Sequence, residues 1–260
     1  MMSIDFHSEQ NRYTYATRHA DQAWASAMAH AIDPRGKRVA DIGCGGGIYS
    51  IAWDELRVAS VIGIDFSEQM ITAAREKSAG RPHVSFQQGR AEATGLPGQS
   101  VDVVFERALI HHLETYDACF AEAYRLLAPG GQALIQDRTP DDVLIPGSPQ
   151  HIRGFFFECF PRLQDVEAKR RPTHDAVRTS LLQAGFQDVQ ASTFWETRRG
   201  YDDFEQLSQD LRNRTGRSIL HMLSDEELRQ LIAFIGDRIG HAGPIIEQDR
   251  WTLWTARKAP

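Results

Sequence analysis

The spacing Asp41-x-Gly43-x-Gly45-x-Gly47, with Asp65 further along, is the part of this chain that points most directly to chemistry. Glycines after a first strand let the backbone turn sharply and bring its N–H groups against a ligand. A phosphate-cradling loop needs Lys-Ser/Thr after the glycines, and "GCGGGIYS" has neither pair. A dinucleotide fingerprint needs G-x-G-x-x-G, and Ile48 occupies the third glycine's place. The spacing that stands is also compatible with a tight structural turn. Asp65 adds weight, because an acid about twenty residues beyond such a loop accepts hydrogen bonds from ribose hydroxyls. Its alternative duty, capping the next helix, suits Ser67 better.

These residues need a scaffold that aims them at one place. "RVADIG", "ASVIGIDF", "HVSFQQG", "VDVVFER" and "QALIQDRT" read as strands, separated by helical spacing in "GIYSIAWDEL", "SEQMITAAREKSA" and "ETYDACFAEAYRLLA". Gly80 and Pro129-Gly130-Gly131 supply stops. Such alternation predicts an α/β fold, a doubly wound and mostly parallel sheet with helices on both faces. "HDAVRTSLLQAGF" continues as a helix, "FQDVQASTFWET" as a strand, and "IIEQDRWTLWTARK" as the last strand. One domain over 1–260 is expected, with an N-terminal helical arm at 1–36, a ligand-binding half at 37–138, and additions at 140–172 and 199–243. Ligands bind outside the carboxyl ends of such strands, and both additions leave strands at that end. They are expected to form a lid.

The chain has 260 residues, 42% hydrophobic and 25% charged, as in ordinary globular proteins. A formal charge of -6 gives no support for a nucleic-acid partner. The start "MMSIDFHSEQNRY" lacks the pattern of a secretory signal, and no apolar run is long enough to span a bilayer. Cys44, Cys119 and Cys159 form no CxxC pair, so neither a disulfide framework nor a metal site is expected. Reduced thiols in a cytoplasmic protein are the expectation. Nothing in the sequence bears on oligomeric state.

"VADIGCGGGIYS", "VIGIDFSEQMITAARE", "VSFQQGRAEATGLPGQSVDVVFERALIHHL" and "AEAYRLLAPGGQALIQD" together resemble the successive motifs of class I S-adenosylmethionine-dependent methyltransferases. Within that class they are most similar to the ubiquinone/menaquinone-biosynthesis type. The resemblance covers about residues 37–138 and fades over the lid segments. It implies a seven-stranded sheet with an antiparallel last strand, and S-adenosylmethionine as cofactor. It places the backbone of Gly43, Gly45 and Gly47 under the cofactor's methionine part, with Asp41 bracing the loop and helping to hold the amino group. Asp65 would take the ribose hydroxyls, and Phe66 and Met70 would pack on adenine, although core packing also suits both. Where the family usually has Asp near the adenine amino group stands Arg90, a donor that cannot accept that bond. The backbone of Ala91 and the carboxylate of Glu92 are the alternatives, as is stacking of Arg90 on the base. Glu106 and Arg107 fall where the family lines the sulfonium side. Tyr15 or Arg18 of the arm would meet the cofactor's carboxylate, or Arg18 would pair with Asp21 instead.

Methyl transfer from a sulfonium is an in-line displacement, so the protein must align the nucleophile and exclude water. An oxygen or acidic C–H acceptor also needs a base with pKa near neutral. His111 is the candidate, with a bracing role at the next helix as the alternative. His151 on the lid is a second candidate. Phe155, Phe156, Phe157 and Phe160 would wall an apolar substrate or pack against the sheet. The basic cluster at 169–171 reads as a solvated face. The expected reaction is O- or C-methylation of a small-molecule acceptor. A tRNA or protein acceptor is the alternative, disfavoured by the acidic balance and by "ERAL" in place of an N-P-P-[YFW] tetrapeptide. A nicotinamide-dependent oxidoreductase and a non-catalytic cofactor-binding regulator are the further readings.

Overall fold

The computed structural model describes residues 20–240 and 243–260. Seven strands form one sheet: β1 (Arg38–Ile42), β2 (Ser60–Asp65), β3 (Val84–Gln88), β4 (Val101–Arg107), β5 (Leu127–Asp137), β6 (Gln187–Tyr201) and β7 (Ile245–Arg257). Their order is β3-β2-β1-β4-β5-β7-β6. The first five pair in parallel, while β7 lies antiparallel between β5 and β6. This agrees with the sheet expected from the sequence.

Strand alternation divides the apolar residues between two faces. Val39, Val103, Phe105, Leu134 and Leu253 meet Trp24 and Met28 of α1 (Gln22–Ala31) and Tyr49 and Trp53 of α2 (Ile48–Glu55). Ala40, Ile42, Val104, Ile135 and Trp254 meet α4 (Asp117–Leu126) and α8 (His174–Gln183) on the other face. Alternate residues of β4 thus serve opposite cores, as a parallel strand covered on both sides requires. Helix α3 (Glu68–Lys77) starts at Ser67, whose hydroxyl accepts from the Met70 N–H at 3.4 Å, as expected of that cap. Asp21 caps α1 and also accepts from the Thr197 N–H at 2.7 Å, fastening that helix to β6.

The lid has a core of its own. It contains α5 (Pro140–Val143), α6 (Ile152–Cys159), α7 (Arg162–Lys169), α9 (Phe204–Arg212) and α10 (Asp225–Ile239). Phe155, Phe156, Phe157 and Phe160 pack there with Leu207, Leu220, Leu231 and Ile235. Those phenylalanines therefore hold the lid together and do not wall a substrate. No helix among the described residues is long and apolar enough to cross a membrane.

Candidate active site

The loop after β1 is built by glycines with distinct duties. Gly43, Gly45 and Gly47 have φ of +74°, +50° and +76°, a region that glycine enters without Cβ strain. A Cβ on Gly47 would come within 2.8 Å of Phe86 Cζ and 3.0 Å of Ala74, so this position serves packing. Among the described residues, a Cβ on Gly45 or Gly46 would meet nothing within 4 Å. The open side of the loop is thus at residues 45–46, the place where a ligand would approach the backbone.

Two acids flank that loop, and one of them braces it. Asp65, at the end of β2, accepts from the Gly45 N–H through Oδ2 and from the Ser67 N–H through Oδ1, each at 2.9 Å. Asp41 is 2% exposed and accepts from the Ser50 hydroxyl at 2.5 Å. Burial pushes its carboxyl up to about 7, against the pull of that hydrogen bond.

Asp41, Gly43 and Gly46 lie on one wall of a cavity of about 190 Å³. The end of β4 adds Arg107 and Ala108, the following turn His111 and His112, and the end of β5 Arg138. From the lid come Arg153 of α6, Arg171 just past α7, and Gly216 and Ser218; β7 adds Trp251. The lid therefore covers the carboxyl ends of the strands, as the topology led one to expect.

His111 is held by a residue the sequence reading did not single out. Its Nδ1 lies 3.0 and 2.9 Å from the two carboxylate oxygens of Asp137, the last residue of β5. The Arg138 N–H also donates to Asp137, at 2.8 Å. Burial alone would raise the Asp137 carboxyl, but His111 and Arg171 overcome it and hold the group well below the usual carboxylate range. Burial pushes the His111 imidazole below its usual value, and the pull of Asp137 does not restore it. An ionised carboxylate only accepts, so neutral His111 donates from Nδ1 and keeps Nε2 as an acceptor. That is the tautomer a general base needs.

Arg107 is clamped between the rings of Tyr49 and Trp251, 4.0 and 4.2 Å from their centroids. Its Nη2 donates to Glu196 at 3.0 Å. Glu106, expected beside it, faces away: strand alternation turns it toward α4, where the Cys119 thiol donates to its Oε1 at 3.4 Å. His151 is buried outside the cavity, its Nδ1 3.2 Å from the Gln248 carbonyl and its ring edge-on to Trp195. The cluster at 169–171 also departs from expectation. Lys169 is exposed, but the Arg171 side chain is 5% exposed and lines the cavity.

At the nucleoside end, Phe66 is 46% exposed at the tip of β2, and Met70 is buried. Arg90 and Glu92 pair with each other at 2.5 Å, and Ala91 is half-buried between them. Tyr15 and Arg18 lie outside the described residues.

Comparison with known proteins places the chain in a family. Residues 40–135 match the family described as a methyltransferase domain. The ubiquinone/menaquinone biosynthesis C-methyltransferase UbiE of Methylobacterium nodulans is 30% identical over 190 residues, 65% of this chain and 74% of that protein. A phosphoethanolamine N-methyltransferase of Triticum aestivum is 30% identical over 157 residues, 60% of this chain but only 29% of that longer protein. The structure of phosphoethanolamine N-methyltransferase 2 of Haemonchus contortus, in complex with phosphomonomethylethanolamine and S-adenosylhomocysteine, superposes with a TM-score of 0.61. It is 18% identical, and the match covers 99% of this chain and 61% of that one. A glycine loop open toward the cavity, an acid closing it at the tip of β2, and a relative matched over most of its length converge: the chain belongs to the class I S-adenosylmethionine-dependent methyltransferases and uses that cofactor.

Proposed function

We propose that the chain methylates a small-molecule acceptor at oxygen or at an acidic carbon, inside the lidded cavity, with His111 as general base. The observation that carries this reading is the His111–Asp137 pair on the same cavity wall system as the glycine loop. The cofactor supplies an electrophilic methyl on a sulfonium, whose departure leaves a neutral thioether. The backbone at residues 43–46 would lie under its methionine part, Asp41 would face its amino group, and Asp65 would take the ribose hydroxyls. Phe66 would cover the adenine, with Met70 beneath the ring's edge, and the Ala91 backbone would meet the base, Arg90 and Glu92 being engaged with each other. His111 Nε2 would take the acceptor's proton, and Asp137 would stabilise the imidazolium so formed.

Closure by the lid favours a small acceptor over a macromolecule, since the lid helices stand over the strand ends where a large chain would have to enter. A formal charge of -6 points the same way. The names of the bacterial relative and the worm structure also refer to small acceptors or pathways.

Two measurements test this. Calorimetry with S-adenosylhomocysteine should show binding, weakened roughly tenfold to a hundredfold by Asp65→Ala. Incubation of cell extract with methyl-tritiated cofactor should place the label in the small-molecule fraction. Label in tRNA or protein instead would overturn the small-acceptor reading.

A further inference from the structure

We infer that the acceptor carries an oxyanion, a carboxylate or a phosphate ester, which docks on Arg138, Arg153 and Arg171 beside His111. This rests on the small-acceptor reading above and names the class of acceptor.

Three guanidinium groups converge from separate elements on one cavity wall: Arg138 after β5, Arg153 on α6 and Arg171 past α7. Their counter-carboxylates stand behind them and do not line the cavity. Asp249 is shared by Arg138 at 3.3 Å and Arg153 at 3.4 Å. Glu167 is shared by Arg153 at 3.2 Å and by Arg171. Asp137 lies 3.6 Å from Arg171 but is committed to His111. Asp41, across the cavity near the end of β1, is the one carboxylate among the described lining residues.

Sharing leaves donors over. Each guanidinium offers five N–H groups. Among the described residues Arg153 hydrogen-bonds through two nitrogens and Arg171 through two, whereas the Arg138 side chain makes no hydrogen bond. Among the described residues Arg138 Nε makes no hydrogen bond, and the Nη1 atoms of Arg138 and Arg171 face Asp249 at 3.3 Å and Asp137 at 3.6 Å without hydrogen-bonding to them. The side chains of Arg153 and Arg171 are 6% and 5% exposed. Unpaired buried donors of a cation are costly, and an oxyanion offering several lone pairs removes that cost. Burial, followed by the repulsion of Arg153, brings Arg138 down to about 9, and an anion beside it would reverse that trend. The planar forks suit two oxygens of a carboxylate or phosphate. Since Arg138 directly follows Asp137, the anion would dock one residue from the carboxylate that orients the base. That position anchors an acceptor with its nucleophile toward His111.

The test uses the full chain loaded with S-adenosylhomocysteine, and calorimetry with benzoate, phenyl phosphate and the neutral benzyl alcohol. Benzoate or phenyl phosphate should bind wild type more tightly than benzyl alcohol, and whichever does identifies the group. Arg138→Met should weaken that anion roughly tenfold to a hundredfold, leaving benzyl alcohol and the S-adenosylhomocysteine Kd unchanged. Equal binding of the three probes to wild type overturns the inference, and this comparison stands even where a variant fails to fold. So does a loss of S-adenosylhomocysteine affinity in a folded Arg138→Met, which would assign the guanidinium to the cofactor's own carboxylate. Absence of S-adenosylhomocysteine binding by wild type would instead refute the placement of the cofactor.

Discussion

Asp137→Asn probes the proposed base without changing side-chain size. The carboxylate accepts from His111 Nδ1, from the His111 N–H at 3.3 Å and from the Arg138 N–H at 2.8 Å, with Arg171 close by. An amide retains one accepting oxygen. If its NH₂ takes the Oδ2 position, it confronts the His111 backbone N–H and forces Nδ1 to accept, which moves the ring proton to Nε2 and disables the base. If it takes the Oδ1 position, it confronts the Arg138 N–H and the Arg171 guanidinium. Both arrangements leave an N–H unpaired and withdraw the charge that stabilises the imidazolium. General-base assistance is worth about 10²–10⁴ in rate, so kcat should fall roughly a hundredfold to a thousandfold. The pH dependence has a definite sign. Asp137 raises the His111 pKa while burial lowers it; without the carboxylate the imidazole protonates only at still lower pH. The acid limb of the pH–rate profile should therefore move down in pH while the plateau drops. Rates measured with the acceptor found by label transfer, with S-adenosylhomocysteine affinity as the control for folding, decide the matter. A variant that keeps wild-type kcat and an unmoved limb would refute His111 as base.

Two further outcomes are expected. Burial lifts Glu106 from 4.5 to about 7, so its contribution to stability is fully present below about 4.5 and is lost as pH rises through 7. The ionised form costs about 3 kcal/mol at pH 8, and Glu106→Gln should melt roughly 6–12 °C above wild type there and close to it at pH 5; an equal difference at both pH values would exclude the mechanism. The glycine loop makes the other comparison. Gly45→Ala places its Cβ in space that is open among the described residues and should lower S-adenosylhomocysteine affinity, with a loss of stability of only about 1–2 kcal/mol from backbone strain. Gly47→Ala must displace Phe86 or Ala74 and should lower Tm more. Thermal melts and calorimetry on both variants would show the reverse ranking if the loop's open side were misassigned.

The parts of the site that sequence made legible are those set by local rules. The strand over Val101–Arg107, the Ser67 cap and the positive-φ glycines each follow from a few neighbouring residues. Glu106 went astray through the same logic applied one residue out of phase, since adjacent strand residues point to opposite faces. The arginines escaped for a different reason. Arg153 meets Asp249 across 96 positions and Arg250 meets Asp142 across 108, so no window of sequence shows the partner that makes burial possible. Arg171 stands beside Lys169 and Arg170 as if on a solvated face, and only the folded lid reveals that it turns inward while Lys169 turns out. The four phenylalanines raised the opposite problem, because composition does not distinguish a wall from a core.

Strand β7 explains how a lid with its own core is nevertheless registered on the sheet. Leu253 lies in the apolar layer and Trp251 on the cavity wall, and the same alternation carries Asp249, Glu247 and Ile245 inward as the strand runs out under the lid. Asp249 holds Arg138 and Arg153, and Glu247 accepts from Arg198 at 2.9 Å and Arg217 at 2.7 Å. Burying such pairs gains little net stability over apolar packing, whereas removing one member is costly because a charge is left uncompensated. Apolar contacts would let the lid slide over the strand ends; paired charges allow one seating. Since Arg153 of the lid both pairs with Asp249 of β7 and lines the cavity, the interaction that seats the lid also sets a donor facing the acceptor.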